Sequence, residues 1–126
     1  MNELTREWVQ KAENDFKLAH LALEAGDEPL TDGACFHAQQ CAEKYLKAVL
    51  QEHQISFPRR HELIPLLEML LPLDETFEGL RQALIELESY AVAVRYPGVT
   101  VSVALAQSAL AAASKVRDFV CTILQV

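Results

Sequence analysis

Apolar residues recur at intervals of three or four along almost the whole chain, and the recurrence breaks only where glycine or proline interrupts it. A period near 3.6 puts such residues on one side of a helix, whereas a half-buried strand would need strict alternation. Leu4, Trp8, Ala12, Phe16, Ala19 and Leu23 predict a first amphipathic helix, stopped by Gly26 ahead of Asp27-Glu28-Pro29. Asp32 is the expected N-cap of a second helix, which runs to about Glu52 and ends near His53-Gln54, before the extended Ile55-Ser56-Phe57-Pro58. Leu63, Leu66, Leu67 and Leu70 mark a short third helix, with Pro65 tolerated in its first turn and Pro72 closing it; it is expected to cover the bundle end. A fourth helix opens between Asp74 and Thr76 and carries Phe77, Leu80, Leu84, Leu87 and Ala91 inward until Tyr96-Pro97-Gly98. Thr100 or Ser102 then caps a fifth, with Val103, Ala106, Leu110, Ala113, Val116, Val120 and Leu124 on its buried side. Four long amphipathic helices and one short one predict an all-α antiparallel up-down four-helix bundle with an additional short helix.

The 126 residues suit a single domain over 1–126 with one hydrophobic core. Much of the 51% apolar content is alanine, which favours close helix packing over a thick aromatic core. A formal charge of -7 excludes a protein that coats nucleic acid through bulk positive charge. Charge is uneven, however: no acid occurs between Ser89 and Arg117, a stretch that holds Arg95 and Lys115. Three cysteines without disulfide-like spacing and no recognisable signal peptide point to the cytoplasm, and the run Ala109 to Ala113 is far too short to cross a bilayer. Cys35 and Cys41 are expected as small core residues, and His37 with Cys41 makes two ligands without a third, so neither metal nor other cofactor is expected. Phosphate-cradling glycine loops, paired-histidine metalloprotease motifs and serine elbows are absent from the sequence.

The second helix reads as two-faced. Cys35, Ala38, Ala42, Tyr45 and Val49 form an apolar stripe, and Gln39, Glu43 and Lys47 a polar one at intervals of four, expected to face a ligand or solvent. Glu43 and Lys47 also have the favourable orientation for an i,i+4 pair, and Lys47 is expected on a solvated face. Four elements in order, Trp8…Ala12…Asp15, Gln39-Gln40-x-x-Glu43-Lys44-x-Leu46-Lys47-Ala48, Pro58…His61-x-Leu63 and Arg95-Tyr96-Pro97, closely resemble the HEPN family of small helical domains over nearly the full chain.

That resemblance implies a bundle that pairs with a second copy and places the segment after the fourth helix near a shared cleft. It also implies one of several functions: a metal-independent ribonuclease with an arginine followed after four to six residues by a histidine, the partner of a minimal nucleotidyltransferase in a two-gene toxin-antitoxin module, or a nucleotide binder. Counted from Arg95, the histidine positions hold Thr100, Val101 and Ser102, and no histidine follows His61. A hydroxyl cannot exchange a proton near neutral pH as an imidazole does. The tyrosine that follows the histidine in some module members has no counterpart either, since Ser102 to Ala104 contain none.

The expected function is therefore a non-catalytic, homodimeric component that binds a nucleotide or a nucleotidyltransferase. A ribonuclease toxin in which Arg95 works with a non-standard base such as His61, and a stand-alone nucleotide sensor, are the alternatives. No catalytic residue is assigned. The candidate binding residues are Arg95, whose guanidinium fork suits a phosphate, Tyr96 in the adjoining turn, His61 beside Arg59 and Arg60, and Lys44 and Gln40 on the second helix.

Overall fold

The computed structural model describes residues 1–93 and 96–126, and side chains other than those of residues 91–95. Its elements are α1 (Glu3–Leu23), α2 (Thr31–Glu52), α3 (Leu63–Leu70), a 3-10 helix over Glu75–Leu80, α4 (Arg81–Ala93) and α5 (Val103–Leu124), with no strand among the described residues. The four long helices run up-down-up-down with α3 as the additional short helix, as the periodicity predicts, except that the fourth opens as the 3-10 helix over Glu75–Leu80, which carries Phe77 and Leu80, and becomes α-helical only at Arg81. Among the described residues no helix is long and apolar enough to cross a membrane.

Local chemistry explains most helix ends. Asn2 caps α1, its side-chain oxygen accepting from Thr5 N at 2.8 Å, and Gly26 at φ +60° supplies the left-handed residue beyond the α1 C-terminus. Ser102 caps α5 by accepting from Leu105 N at 3.1 Å, which selects between the two expected caps. Asp74 does the same for the 3-10 helix through Thr76 N at 2.9 Å. The second helix departs from expectation. It starts at Thr31, with Leu30 in the cap position and no side-chain cap; Asp32 lies in the first turn, where its charge faces the positive end of the helix dipole. Leu30 N donates to Ala22 O at 2.8 Å, so a backbone bond across the α1–α2 turn holds that end.

Helix α2 is the axis of the molecule and packs against α1, α3, α4 and α5. Cys35, Ala38, Ala42, Tyr45 and Val49 are buried, as are Cys41, Leu46, Ala48 and Leu50 on its other sides. Phe77, Leu80, Leu84 and Leu87 from the fourth segment and Ala106, Leu110, Ala113, Val116 and Val120 from α5 complete the core; Ala91 falls outside the described side chains. Val103 is exposed, because Val101, just outside the helix, occupies the buried position at that end, and Leu124 is half-buried at the last turn of α5.

Candidate functional site: a buried polar stripe and the loop it holds

The stripe expected to meet ligand or solvent is inside the protein. Gln39, Glu43 and Lys47 are 3%, 2% and 5% exposed. The loop after α2 folds back over this face, and the polar groups serve that loop. Gln39 Nε2 donates to the His61 carbonyl at 2.8 Å, and Lys47 Nζ donates to the Arg60 carbonyl at 3.1 Å and to Glu43 Oε2 at 2.9 Å. Lys47 Nζ also lies 5.6 Å from the ring centres of Trp8 and Phe57, two aromatics packed edge to face. The expectation of a solvated Lys47 is thus corrected: a helix surrounded by its neighbours and a loop has no free face, so its long side chains must find partners inside. Every buried side-chain nitrogen and oxygen among the described residues does find one.

His61 stands where this interior network reaches the surface. Its Nδ1 lies 3.1 Å and 3.3 Å from the two Glu43 carboxylate oxygens, while its side chain is 68% exposed. A carboxylate only accepts, so the facing nitrogen carries the proton; Nε2 on the far side of the ring is then an acceptor in the neutral imidazole and a donor in the charged one. Arg59 and Arg60 are exposed beside it.

Two further polar clusters continue along the α1–α2 seam. Asp15, 5% exposed, accepts from Lys44 Nζ at 2.5 Å and pairs with His37 Nδ1 at 2.7 Å. Glu13 takes a forked pair from Arg117 of α5, at 2.5 Å and 3.3 Å, and a short hydrogen bond from the Tyr45 hydroxyl. Partial burial pushes the Glu13 carboxyl up, but the Arg117 and Tyr45 hydrogen bonds and the Arg117 charge outweigh it and hold the group below its ordinary value. Burial, together with the bond to Glu13, pushes the Tyr45 phenol well up. Arg117 stacks over Phe16 at 4.8 Å, beside a cleft of about 450 Å³ lined by Glu13, Phe16, Lys17, His20, Leu21 and Arg117.

Of the sequence candidates, the structure brings His61 and Gln40 together on Glu43; Gln40 Nε2 lies 3.3 Å from Glu43 Oε1 and donates to Gln39 Oε1 at 2.8 Å. Lys44 is engaged one cluster away, by Asp15. Tyr96 is 63% exposed in the turn before α5, whose Val99 N to Tyr96 O bond is 3.4 Å and whose Gly98 has φ +88°. Arg95 lies outside the described residues. Missed by sequence reasoning are the Glu13–Arg117–Tyr45 and Asp15–His37 contacts. The available signal was two acids, Glu13 and Asp15, interleaved with the apolar Ala12, Phe16 and Ala19 of α1. Among the described residues no group of three or more His, Cys, Asp or Glu side chains is placed to hold a metal ion.

The family model for the HEPN domain matches residues 5–124. The chain belongs to the HEPN domain family. A solved structure described as the crystal structure of TT1696 from Thermus thermophilus is similar to this HEPN protein, with 31% identity and a TM-score of 0.77, covering 95% of this chain and 97% of that one. No curated protein matches it. Within the family pattern, the Gln-Gln-x-x-Glu-Lys-x-Leu-Lys segment has a physical meaning here: Gln39, Glu43 and Lys47 are the interior grips on the α2–α3 loop, and Lys44 bridges to α1.

Proposed function

We propose that this HEPN protein is a binding component and not a nuclease: a homodimer that partners a minimal nucleotidyltransferase in a two-gene, toxin-antitoxin-like module and presents a nucleotide- or partner-facing surface containing Arg95, Tyr96 and His61. One observation carries the reading. The three positions that would hold the ribonuclease histidine after Arg95 supply no group that exchanges a proton near neutral pH. Ser102 is further committed, since its oxygen caps α5, and Val101 is 4% exposed. Gln40 joins this surface through Glu43, which also holds the His61 ring, and Lys44, paired with Asp15 one cluster away, is included as its flank.

Co-purification with the product of an adjacent nucleotidyltransferase reading frame, and a dimer by light scattering, are the expected results. Specific cleavage of single-stranded RNA by the purified chain, abolished in Arg95→Ala, would overturn the proposal.

A second reading has its own support. The His61 ring, aligned by a buried carboxylate and exposed at the opposite nitrogen, has the geometry of a general base. As a ribonuclease toxin using Arg95 with His61, the protein would arrest growth on expression, and both Arg95→Ala and His61→Ala would relieve the arrest. A stand-alone sensor is distinguished by calorimetry with ATP and GTP in the absence of any partner.

A further inference from the structure

Three buried side chains of α2 are committed to one exposed loop. Gln39 holds the His61 carbonyl, Lys47 the Arg60 carbonyl, and Glu43 the His61 ring. An ion pair as deeply buried as Glu43–Lys47 seldom stabilises a fold more than apolar side chains of similar volume, because desolvation offsets the attraction. The arrangement makes better sense by what it positions than by what it adds to stability. It fixes two consecutive carbonyls and one imidazole, and outside it leaves Arg59, Arg60 and the far edge of His61.

These three groups share a chemistry. Guanidinium forks match phosphate oxygens, and an imidazole nitrogen whose partner nitrogen is already committed offers one directed hydrogen bond, to a hydroxyl when neutral or a phosphate oxygen when charged. Of the nearby acids, Glu43 is paired with Lys47 and Glu88 is turned to Leu63 N, which donates to its Oε1 at 2.8 Å; Glu62, exposed at the start of α3, stands against two arginines, Arg59 and Arg60. With an overall charge of -7, such a site works by local geometry and not by bulk attraction.

We infer that Arg59, Arg60 and His61 form a ribose-phosphate site, with the arginines on the phosphate and His61 Nε2 on the adjacent ribose hydroxyl or phosphate oxygen. The site presupposes the nucleotide-binding reading above and names where that ligand is held. Its ligand is a ribonucleotide, either free or as a unit of single-stranded RNA.

The test follows the His61 ring resonances of the full chain by NMR while AMP, adenosine, inorganic phosphate or a short single-stranded oligoribonucleotide is added. AMP is expected to shift them saturably and adenosine to leave them unmoved. The double variant Arg59→Ala/Arg60→Ala, altered only at exposed positions, is expected to melt like wild type and to bind AMP about tenfold or more weakly. His61→Asn is expected to weaken AMP more than inorganic phosphate. Oligoribonucleotide binding at least tenfold tighter than AMP assigns the source as RNA, and the reverse order assigns free nucleotide. Calorimetric binding of AMP with the His61 resonances unmoved and with full affinity in the double variant overturns this site while leaving the nucleotide reading standing. Absence of binding by both AMP and the oligonucleotide overturns both. Inorganic phosphate bound as tightly as AMP removes the ribose from the assignment and overturns it in this form.

Discussion

Lys47 and Glu43, one turn apart on α2, form an ion pair of 2.9 Å whose side chains are 6% and 3% exposed. The pair is held on both flanks, by the Arg60 carbonyl and the Trp8 and Phe57 rings around the ammonium and by the His61 ring on the carboxylate. Removing one charge strands the other. Lys47→Met is therefore expected to destabilise the domain by about 3–5 kcal/mol, and Glu43→Leu combined with Lys47→Met by clearly less than Lys47→Met alone. Urea unfolding followed by far-UV circular dichroism checks the order; equal loss in the single and double variants would show that the ion pair is not what holds this region.

The Glu13–Arg117 fork ties α1 to α5, and its pH dependence has a defined sign. Glu13 has a lower carboxyl pKa folded than unfolded, so its contribution is present above the ordinary carboxylate value and is lost as pH falls through the folded value. Both side chains are about a third exposed, at 28% and 34%, so the contribution is that of a screened pair, about 1 kcal/mol. Glu13→Gln is expected to lower the unfolding midpoint at pH 7 and to converge with wild type as the medium is acidified below the carboxylate range. A gap that persists in acid would contradict the assignment.

Asp15 anchors two side chains, Lys44 and His37, and the two contribute unequally. Asp15→Ala leaves Lys44 and His37 without their shared acceptor and is expected to cost about 2–3 kcal/mol. His37→Gln, at a side chain 28% exposed that water can reach, is expected to cost about 1 kcal/mol or less. Thermal melts of both variants and the double mutant should show coupling beyond simple addition.

The three thiols are expected to differ sharply in reactivity. Cys35 is buried and its thiol is pushed up to about 11 by that burial, with Asp32 and Glu86 adding; Cys41 is raised further by deeper burial beside Glu13 and Asp15. Cys121 is half-buried. Native protein treated with an aromatic disulfide reagent at pH 8 should release about one thiol equivalent quickly, and Cys121→Ser should remove that phase. Two fast equivalents in the native protein would mean that one of the α2 cysteines is reached by solvent.

Element positions were legible because periodicity and stop residues act locally: Gly26, Pro58 and Pro72 end what Leu, Ala and Phe at three- and four-residue spacing begin. Helix α3 and the C-terminal limit of α2 fall where this logic puts them. The start of α2 does not, since a cross-turn backbone bond between Leu30 and Ala22 replaces the expected Asp32 cap, and that bond exists only once two helices have come together.

The candidate site divides in the same way. Family membership and the missing histidine after Arg95 are properties of residue order, and so the sequence alone determined them. The meaning of the Gln39, Glu43 and Lys47 stripe was decided only by tertiary structure. Helical spacing shows that the three side chains share a face, yet it carries no information about what will lie over that face. Here the loop returning from Phe57 to His61 lies over it and turns an apparent surface into a set of interior grips. Burial depends on chain segments that meet from a distance, and neither their meeting nor the pairing of Glu13 with Arg117, 104 residues apart, is written in any local spacing.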